Sequence, residues 1–269
     1  MKIELSNLLH RFNDPELEAA NVISWSSPVL SFGNLSTSKL ATVGLNPSNR
    51  EFVDTQGNEL AGTARRFHTL KSLSLRHWAD AAQHDLEAII KFCEEYFLRN
   101  PYDGWFKQLD YIISGSSFSY YFPSAQACHV DLIPYATSSK WMELTTTQRL
   151  SLLEHSGDTL GLLIKDSPVE VLILNGRTVV ENMERITNVQ FEKTHMPQWT
   201  LPRKNGDGIV GIAYQGFINS IGGVPLSQEL LVLGYNHNIQ SSYGVTTEVK
   251  TAIRNWISES TMEVLNETR

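Results

Sequence analysis

Leu40-Ala41-Thr42-Val43-Gly44-Leu45 is an apolar run that stops abruptly in a polar turn, Asn46-Pro47-Ser48-Asn49-Arg50-Glu51. Near-continuous hydrophobicity over so short a stretch is the pattern of a strand covered on both faces, as in a parallel sheet. The same pattern returns in Ala127–Ile133, Val169–Leu174, Ile209–Tyr214 and Leu230–Leu233. Between these runs apolar residues recur at helical spacing. Leu86, Ile89, Ile90, Cys93 and Phe97 form one set, Leu109, Ile112 and Ile113 another, and Leu160, Leu163 and Ile164 a third. A last helix is expected to carry Val249, Ala252, Ile253, Trp256 and Ile257 on one face, capped by Thr246 or Thr247 with Glu248 in its first turn. Strands alternating with helices predict a three-layer α/β/α sandwich with a mostly parallel central sheet. Ligands in such sheets bind at the carboxyl ends of the strands. The loops after Leu45, Ile133, Leu174 and Leu233 are therefore where chemistry is expected. Gly222-Gly223 before Val224-Pro225 reads as a turn.

The 269 residues, 41% hydrophobic and 19% charged, are enough to bury a sizeable core and exclude a disordered or fibrous chain. With no linker of Pro, Gly and Ser and no internal repeat, a single domain over residues 1–269 is expected, with a helical insertion at about 60–120. No apolar run approaches the roughly 20 residues of a membrane span. The start, Met1-Lys2-Ile3-Glu4-Leu5, lacks the apolar core of a secretion signal. Two distant cysteines, Cys93 and Cys128, cannot make a disulfide framework or a cysteine-built metal site, so a reducing cytoplasm is expected. A formal net charge of −7 argues against holding nucleic acid by bulk electrostatics. A local basic strip is nonetheless present. Ala61 to Ala79 contains no acidic residue but carries Arg65, Arg66, Lys71 and Arg76, with His68 and His77. It is either one solvated face or a phosphate-facing strip on an acidic body.

Several enzyme classes lack their signatures. There is no Gly-x-Gly-x-x-Gly after a strand, no Gly-x-x-x-x-Gly-Lys-Ser/Thr, no His-Glu-x-x-His and no Gly-x-Ser-x-Gly. Two loops remain informative. In the first, Asn46 can present its amide at a strand's carboxyl end, where a fixed amide holds a water molecule by both donor and acceptor. In the second, Tyr235-Asn236-His237-Asn238-Ile239-Gln240-Ser241-Ser242-Tyr243-Gly244 is unusually polar and precedes a helix. Backbone N–H groups and hydroxyls in such a place bind phosphate, and Ile239 and Gln240 are positioned to wedge into a base stack.

Gly44-Leu45-Asn46-Pro47-Ser48 resembles the first active-site motif of the uracil-DNA glycosylase superfamily, in its Gly-x-Asn-Pro form. The Asn236–Gly244 loop stands where that superfamily has its second, His-containing and Ser-rich motif. Val171-Leu172-Ile173-Leu174-Asn175-Gly176 is similar to the strand before it, and the likeness spans roughly Leu40 to Trp256. The resemblance implies hydrolysis of the N-glycosidic bond of a flipped-out nucleotide without metal or cofactor, leaving an abasic site, by a monomer acting on DNA and not on a membrane. It implies that Asn46 positions the attacking water and that His237 stabilises the departing base. It further implies that Pro47, Phe52, Phe67 and Asp131 surround the base, with Leu60 a looser alternative to the phenylalanines. Arg50, Arg65, Arg66, Asn238, Gln240, Ser241 and Ser242 would then contact DNA.

Three departures refine this. The first motif lacks the Asp of the most active uracil-specific branch, which predicts slower chemistry or another substrate. The four cysteines of the iron–sulfur branches are absent. His237 follows Asn236 where the superfamily has His then Pro, which leaves Asn236 and Asn238 as alternatives to the imidazole. Asp131, in His129-Val130-Asp131-Leu132-Ile133-Pro134-Tyr135, is an acceptor suited to the amino group of a cytosine-like base, or else a carboxylate paired with Arg50 or Arg66. His129 is expected to be a satisfied core histidine. A modified cytosine, such as a bulky hypermodified one in viral DNA excised in antiviral defence, fits Asp131 and the long insertion; uracil or a damaged base is the alternative. A different class of reading is a non-catalytic nucleic-acid-binding module on the same fold. A nucleoside hydrolase is disfavoured, because no acidic calcium cluster follows the first strand.

Overall fold

The computed structural model describes residues 1–203, 206, 208–240 and 242–267, and it is an α/β protein built on one six-stranded sheet. The strands are β1 (Leu40–Gly44), β2 (Ala127–Asp131), β3 (Val171–Asn175), β4 (Glu192–Leu201), β5 (Ile209–Ile221) and β6 (Val224–Tyr235). The helices are α1 (Lys2–Arg11), α2 (Pro15–Ala19), α3 (Gln83–Glu94), α4 (Asp103–Ile113), α5 (Thr146–Ser156), α6 (Thr159–Ile164), α7 (Arg177–Thr187) and α8 (Thr247–Glu267). Strand order is β2-β1-β3-β6-β5-β4. The pairs β1–β2, β1–β3 and β3–β6 are parallel, and β5–β6 and β4–β5 are antiparallel. Every residue of β1, β2 and β3 is buried, which is why these strands read as unbroken apolar runs.

Helices cover both faces. A Cβ on Gly234 would lie 2.9 Å from Val180 Cγ2, so α7 packs directly beneath β6 on one face. On the other, the Trp105 and Phe106 rings of α4 meet His129 at 5.0 and 5.5 Å, and Trp256 of α8 meets Trp199 at 5.4 Å. Thr246 caps α8, accepting from Val249 N–H at 3.3 Å. Among the described residues, no helix is long and apolar enough to cross a membrane.

The expected strands all form, but the last two are longer than their apolar cores. β5 and β6 extend into a hairpin that is half exposed, with Ile221 opposite Val224. Gly222 and Gly223 make its turn at φ +56° and +77°, the left-handed pair that matches the twist of two antiparallel strands. A Cβ at Gly222 would fall 2.1 Å from the Gly157 carbonyl oxygen, so the turn also demands close approach. The edge strand β4 has no apolar run to announce it. Its Glu192, Lys193 and His195 face solvent, as suits an edge. Phe97 lies in a 3-10 turn, Tyr96–Leu98, just beyond the end of α3. The segment from Gly44 to Ala127 does hold helices, α3 and α4, joined by short 3-10 turns.

Candidate active site at the carboxyl edge of the sheet

Four parallel strands end together. Gly44 stands opposite Asp131, and Asn175 stands opposite Tyr235. Val43 aligns with Leu174, one residue before each of the two central ends. Asp131, Gly44, Asn175 and Tyr235 therefore form one row at the carboxyl edge, all on the same face because neighbours in register point the same way. Topology brings the early loop and the late loop to one edge, as expected, with β3 between them.

Two side chains of β2 pack over the end of β1. Gly44 has no side chain where its neighbours have theirs, and a Cβ there would lie 2.3 Å from Asp131 Oδ1 and 2.9 Å from His129 Nε2. Those two atoms fill the space over Gly44 and stand 3.4 Å from each other. Behind them His129 Nδ1 is 2.7 Å from Thr42 Oγ1, which is 2.5 Å from the Tyr120 hydroxyl. His129 therefore has a polar neighbour at each ring nitrogen, Thr42 at Nδ1 and Asp131 at Nε2. Asp131 does not pair with Arg50 or Arg66: Arg50 donates to the Asp54 carbonyl, and Arg66 donates to the carbonyls of Arg50 at 2.7 Å and Asn100 at 2.8 Å. Arg66 braces the loop, with its guanidinium 5.4 Å over the Tyr102 ring. Arg65 is half buried, and its Nε has no hydrogen-bond partner among the described residues.

Asn46 is half buried on the loop that follows Gly44. Its Nδ2 donates to Thr137 Oγ1 at 3.0 Å and to the Tyr135 carbonyl at 3.4 Å. An amide anchored through its nitrogen presents its oxygen, and an amide oxygen accepts a proton from water. Pro47 is buried. Phe52 and Phe67 lie within the core, 5.8 Å apart, with Phe67 stacked on Tyr96 at 5.2 Å and Trp25 edge-on to Phe52. They wall the region from behind rather than offering a solvent-facing platform.

One residue of this loop escaped the sequence reading. Glu51, 3% exposed, accepts a hydrogen bond from the Tyr96 hydroxyl at 2.8 Å and lies 3.9 Å from Arg66 Nε. Burial pushes its carboxyl up to about 7; the Tyr96 hydroxyl and the Arg66 charge oppose that shift, and the Asp131 charge adds to it. A carboxyl that titrates near neutrality on the same loop as an anchored amide is the kind of group active sites use to hold or move a proton. The signal available in sequence was only its place, one turn past Asn46.

The late loop turns its polar groups on the protein itself. Asn236 Oδ1 accepts from Ile212 N–H at 2.9 Å and its Nδ2 donates to the Val210 carbonyl at 2.8 Å, prolonging the β5–β6 pairing. His237 is 2% exposed, and its Nε2 donates to the Trp199 carbonyl at 2.7 Å, toward β4. Burial lowers its pKa, the bond to Trp199 opposes that shift and the Arg203 charge adds to it, and the Trp199 carbonyl, an acceptor, places a proton on Nε2. Asn238 Oδ1 accepts from Gln240 N–H at 3.1 Å, and Ser242 Oγ accepts from Asn238 N–H at 2.9 Å. Ile239 is buried at 6% exposure, so it does not project as a wedge. Gln240 also turns inward: its Oε1 accepts from Asn175 Nδ2 at 2.9 Å, while its Nε2 is buried with no partner among the described residues. The large side chain that does project is Tyr243, 77% exposed, with the Arg203 guanidinium 5.5 Å over its ring. Ser241 lies outside the described residues.

Asn46 and His237 share an edge, but their strands are two places apart, roughly 10 Å at the usual spacing. The amide is drawn toward the loop after β2 and the imidazole toward β4. The Asn175–Gln240 amide pair occupies the end of the strand between them. No protein-family model matches the chain, and no curated protein matches it.

Proposed function

We propose that this edge hydrolyses the N-glycosidic bond of a flipped-out pyrimidine nucleotide in DNA. The observation that carries the reading is the half-buried Asn46 amide at the end of parallel strands, anchored through its nitrogen so that its oxygen can orient water, on the same loop as the buried Glu51 carboxyl. Water held by Asn46 Oδ1 attacks C1′ of the sugar. The C1′–N1 bond breaks, its electron pair leaves with the base, and the proton lost by water ends on that base. The products are a free base and an abasic site. Negative charge on the departing base calls for a hydrogen-bond donor in a dry site. His237 can serve only by giving up its bond to Trp199, whereas Gln240 Nε2 is a buried donor with no partner among the described residues. A hypermodified cytosine of viral DNA is the proposed target, and its removal would act in antiviral defence.

A second reading, a nucleic-acid-binding module without catalysis, is favoured by one observation: the engagement of the His237 donor by Trp199. The two separate on oligonucleotides, single- and double-stranded, carrying uracil, hypoxanthine, 5-hydroxymethylcytosine or its glucosylated form. Released base and alkali-labile abasic sites with at least one of them support the enzyme. Binding with no release from any of them leaves the module.

A further inference from the structure

We propose that the cleft between α5 and α7 binds a compact organic anion, whose phosphate or carboxylate group is held by Arg149 and Arg185 and whose apolar body lies against Leu150 and Leu153. The cleft lies on the α7 side of the sheet. The row Asp131, Gly44, Asn175 and Tyr235 shares the face of His129, on which α4 packs. The site is therefore separate from the carboxyl edge described above, and it does not depend on what that edge does.

Helical spacing builds the two walls. Thr146, Arg149, Leu150 and Leu153 stand at i, i+3, i+4 and i+7 along α5. Thr178, Glu181, Asn182 and Arg185 stand at the same intervals along α7. Residues so spaced share one face of a helix, so each helix turns a single stripe to the cleft. The other face of α7, with Val179, Val180 and Met183, is buried. Trp141 and Leu153 are buried and form the floor. The cleft holds about 260 Å³, just under the roughly 300 Å³ at which sites for drug-sized molecules begin, so its ligand is compact.

The charges in this cleft do not balance. Among the described residues, Glu181 is the carboxylate that lines it, and Arg177 Nε holds that carboxylate at 2.6 Å. Arg149 is braced by carbonyls instead. Its Nε and Nη2 donate to the Leu144 carbonyl at 3.0 and 2.7 Å, and Nη2 also donates to Met142 at 3.3 Å. Neutral acceptors fix the guanidinium without cancelling its charge. Arg149 Nη1 makes no hydrogen bond among the described residues, and Arg185 makes neither a hydrogen bond nor an ion pair among them. Two uncompensated guanidinium groups facing one cleft favour an anion, and guanidinium N–H pairs match phosphate and carboxylate oxygens. The leucines make that anion organic. Leu150 is 42% exposed on the wall beside Arg149, and covering it favours a ligand with an apolar body.

Phenyl phosphate and benzoate are the probes, with inorganic phosphate and phenol as controls that carry one half of the ligand each. The Trp141 indole N–H signal in proton–nitrogen spectra reports occupancy, and Trp141→Phe identifies it by its absence. Isothermal titration calorimetry gives the affinities without the label. At least one probe is expected to shift the signal saturably and to bind about tenfold more tightly than either control, since each control lacks one set of contacts. Arg185→Ala removes an exposed side chain that the fold does not use, and it is expected to weaken the probe about tenfold, the scale of one charge-assisted contact. Leu150→Ser is expected to weaken it about fivefold through lost apolar contact. Three results overturn the proposal: no saturable shift from either probe, inorganic phosphate binding as tightly as phenyl phosphate, or undiminished binding by Arg185→Ala.

Discussion

The loop after β1 and the loop after β6 look alike in sequence, each a burst of amides and hydroxyls closing an apolar strand, yet the structure uses them in opposite ways. At the early end, Asn46 is anchored through its amide nitrogen, Asp131 and His129 of β2 pack over Gly44, and burial pushes the Glu51 carboxyl up to about 7. In the late loop, polar atoms mostly answer one another. Asn236 extends the sheet, His237 ties to Trp199, and Asn238 and Ser242 close a turn. A buried polar group without a partner costs free energy, so one that is already paired is serving the fold. The comparison teaches that loop composition does not locate a site. What sets the early end apart is a buried carboxyl that titrates near neutrality on the same loop as an amide anchored through its nitrogen.

Three substitutions test this contrast. The largest effect is expected from Asn46→Ala in the early loop. If its oxygen orients the nucleophile, base release falls on the order of 10²- to 10³-fold, the scale of losing one preorganised polar contact at a reacting centre. DNA affinity, read by fluorescence anisotropy, is expected to stay the same. An equal loss of affinity would place Asn46 in binding rather than in chemistry.

Next comes Glu51→Gln, read as stability against pH. The folded carboxyl titrates at about 7, above its ordinary 4.5. Below 4.5 both folded and unfolded forms carry the proton, and the contribution is fully present. Between 4.5 and about 7 the unfolded chain releases the proton while the folded protein retains it, so stability declines as pH rises through that window. The integrated loss is on the order of 3 kcal/mol. Glu51→Gln keeps an acceptor for Tyr96 and is expected to abolish this decline in urea titrations across pH 4.5 to 7. Parallel curves for the two proteins would show that Glu51 is charged in the fold. His68 has the opposite sign. Burial first, then the Arg65 and Arg99 charges, hold its pKa near 4, so its share of stability is lost as pH falls below 6.5. The two trends give a stability maximum between them.

The smallest effect is expected from His237→Ala in the late loop. Losing the bond to the Trp199 carbonyl costs about 1–3 kcal/mol of stability, read by urea unfolding. Base release by the folded variant is expected to stay within about threefold, well short of the loss typical of a removed oxyanion donor. A hundredfold loss of release would restore the imidazole to the reaction and erase the contrast between the loops.

Much of the frame was legible because burial on both faces leaves a mark in a chain. Leu40–Gly44, Ala127–Asp131 and Val171–Asn175 are found almost where their apolar runs predict them. The edge strand β4 was not legible, since an exposed strand has no apolar pattern to show, and the outer parts of β5 and β6 share that condition. Asp131 was legible as a carboxylate at a strand end. Glu51 was not, because its burial depends on Tyr96 and Arg66, which are far along the chain.

By itself the sequence determined the layer architecture, the alternation of strands and helices, and the edge at which polar loops gather, all consequences of hydrophobic periodicity, which is local. Only the tertiary structure decided which polar atoms meet which partners. Hydrogen-bond satisfaction is a property of neighbours in space, so Thr42, Tyr120 and His129 become one chain of protons, and His237 becomes a strut, only after the sheet has brought their partners to them.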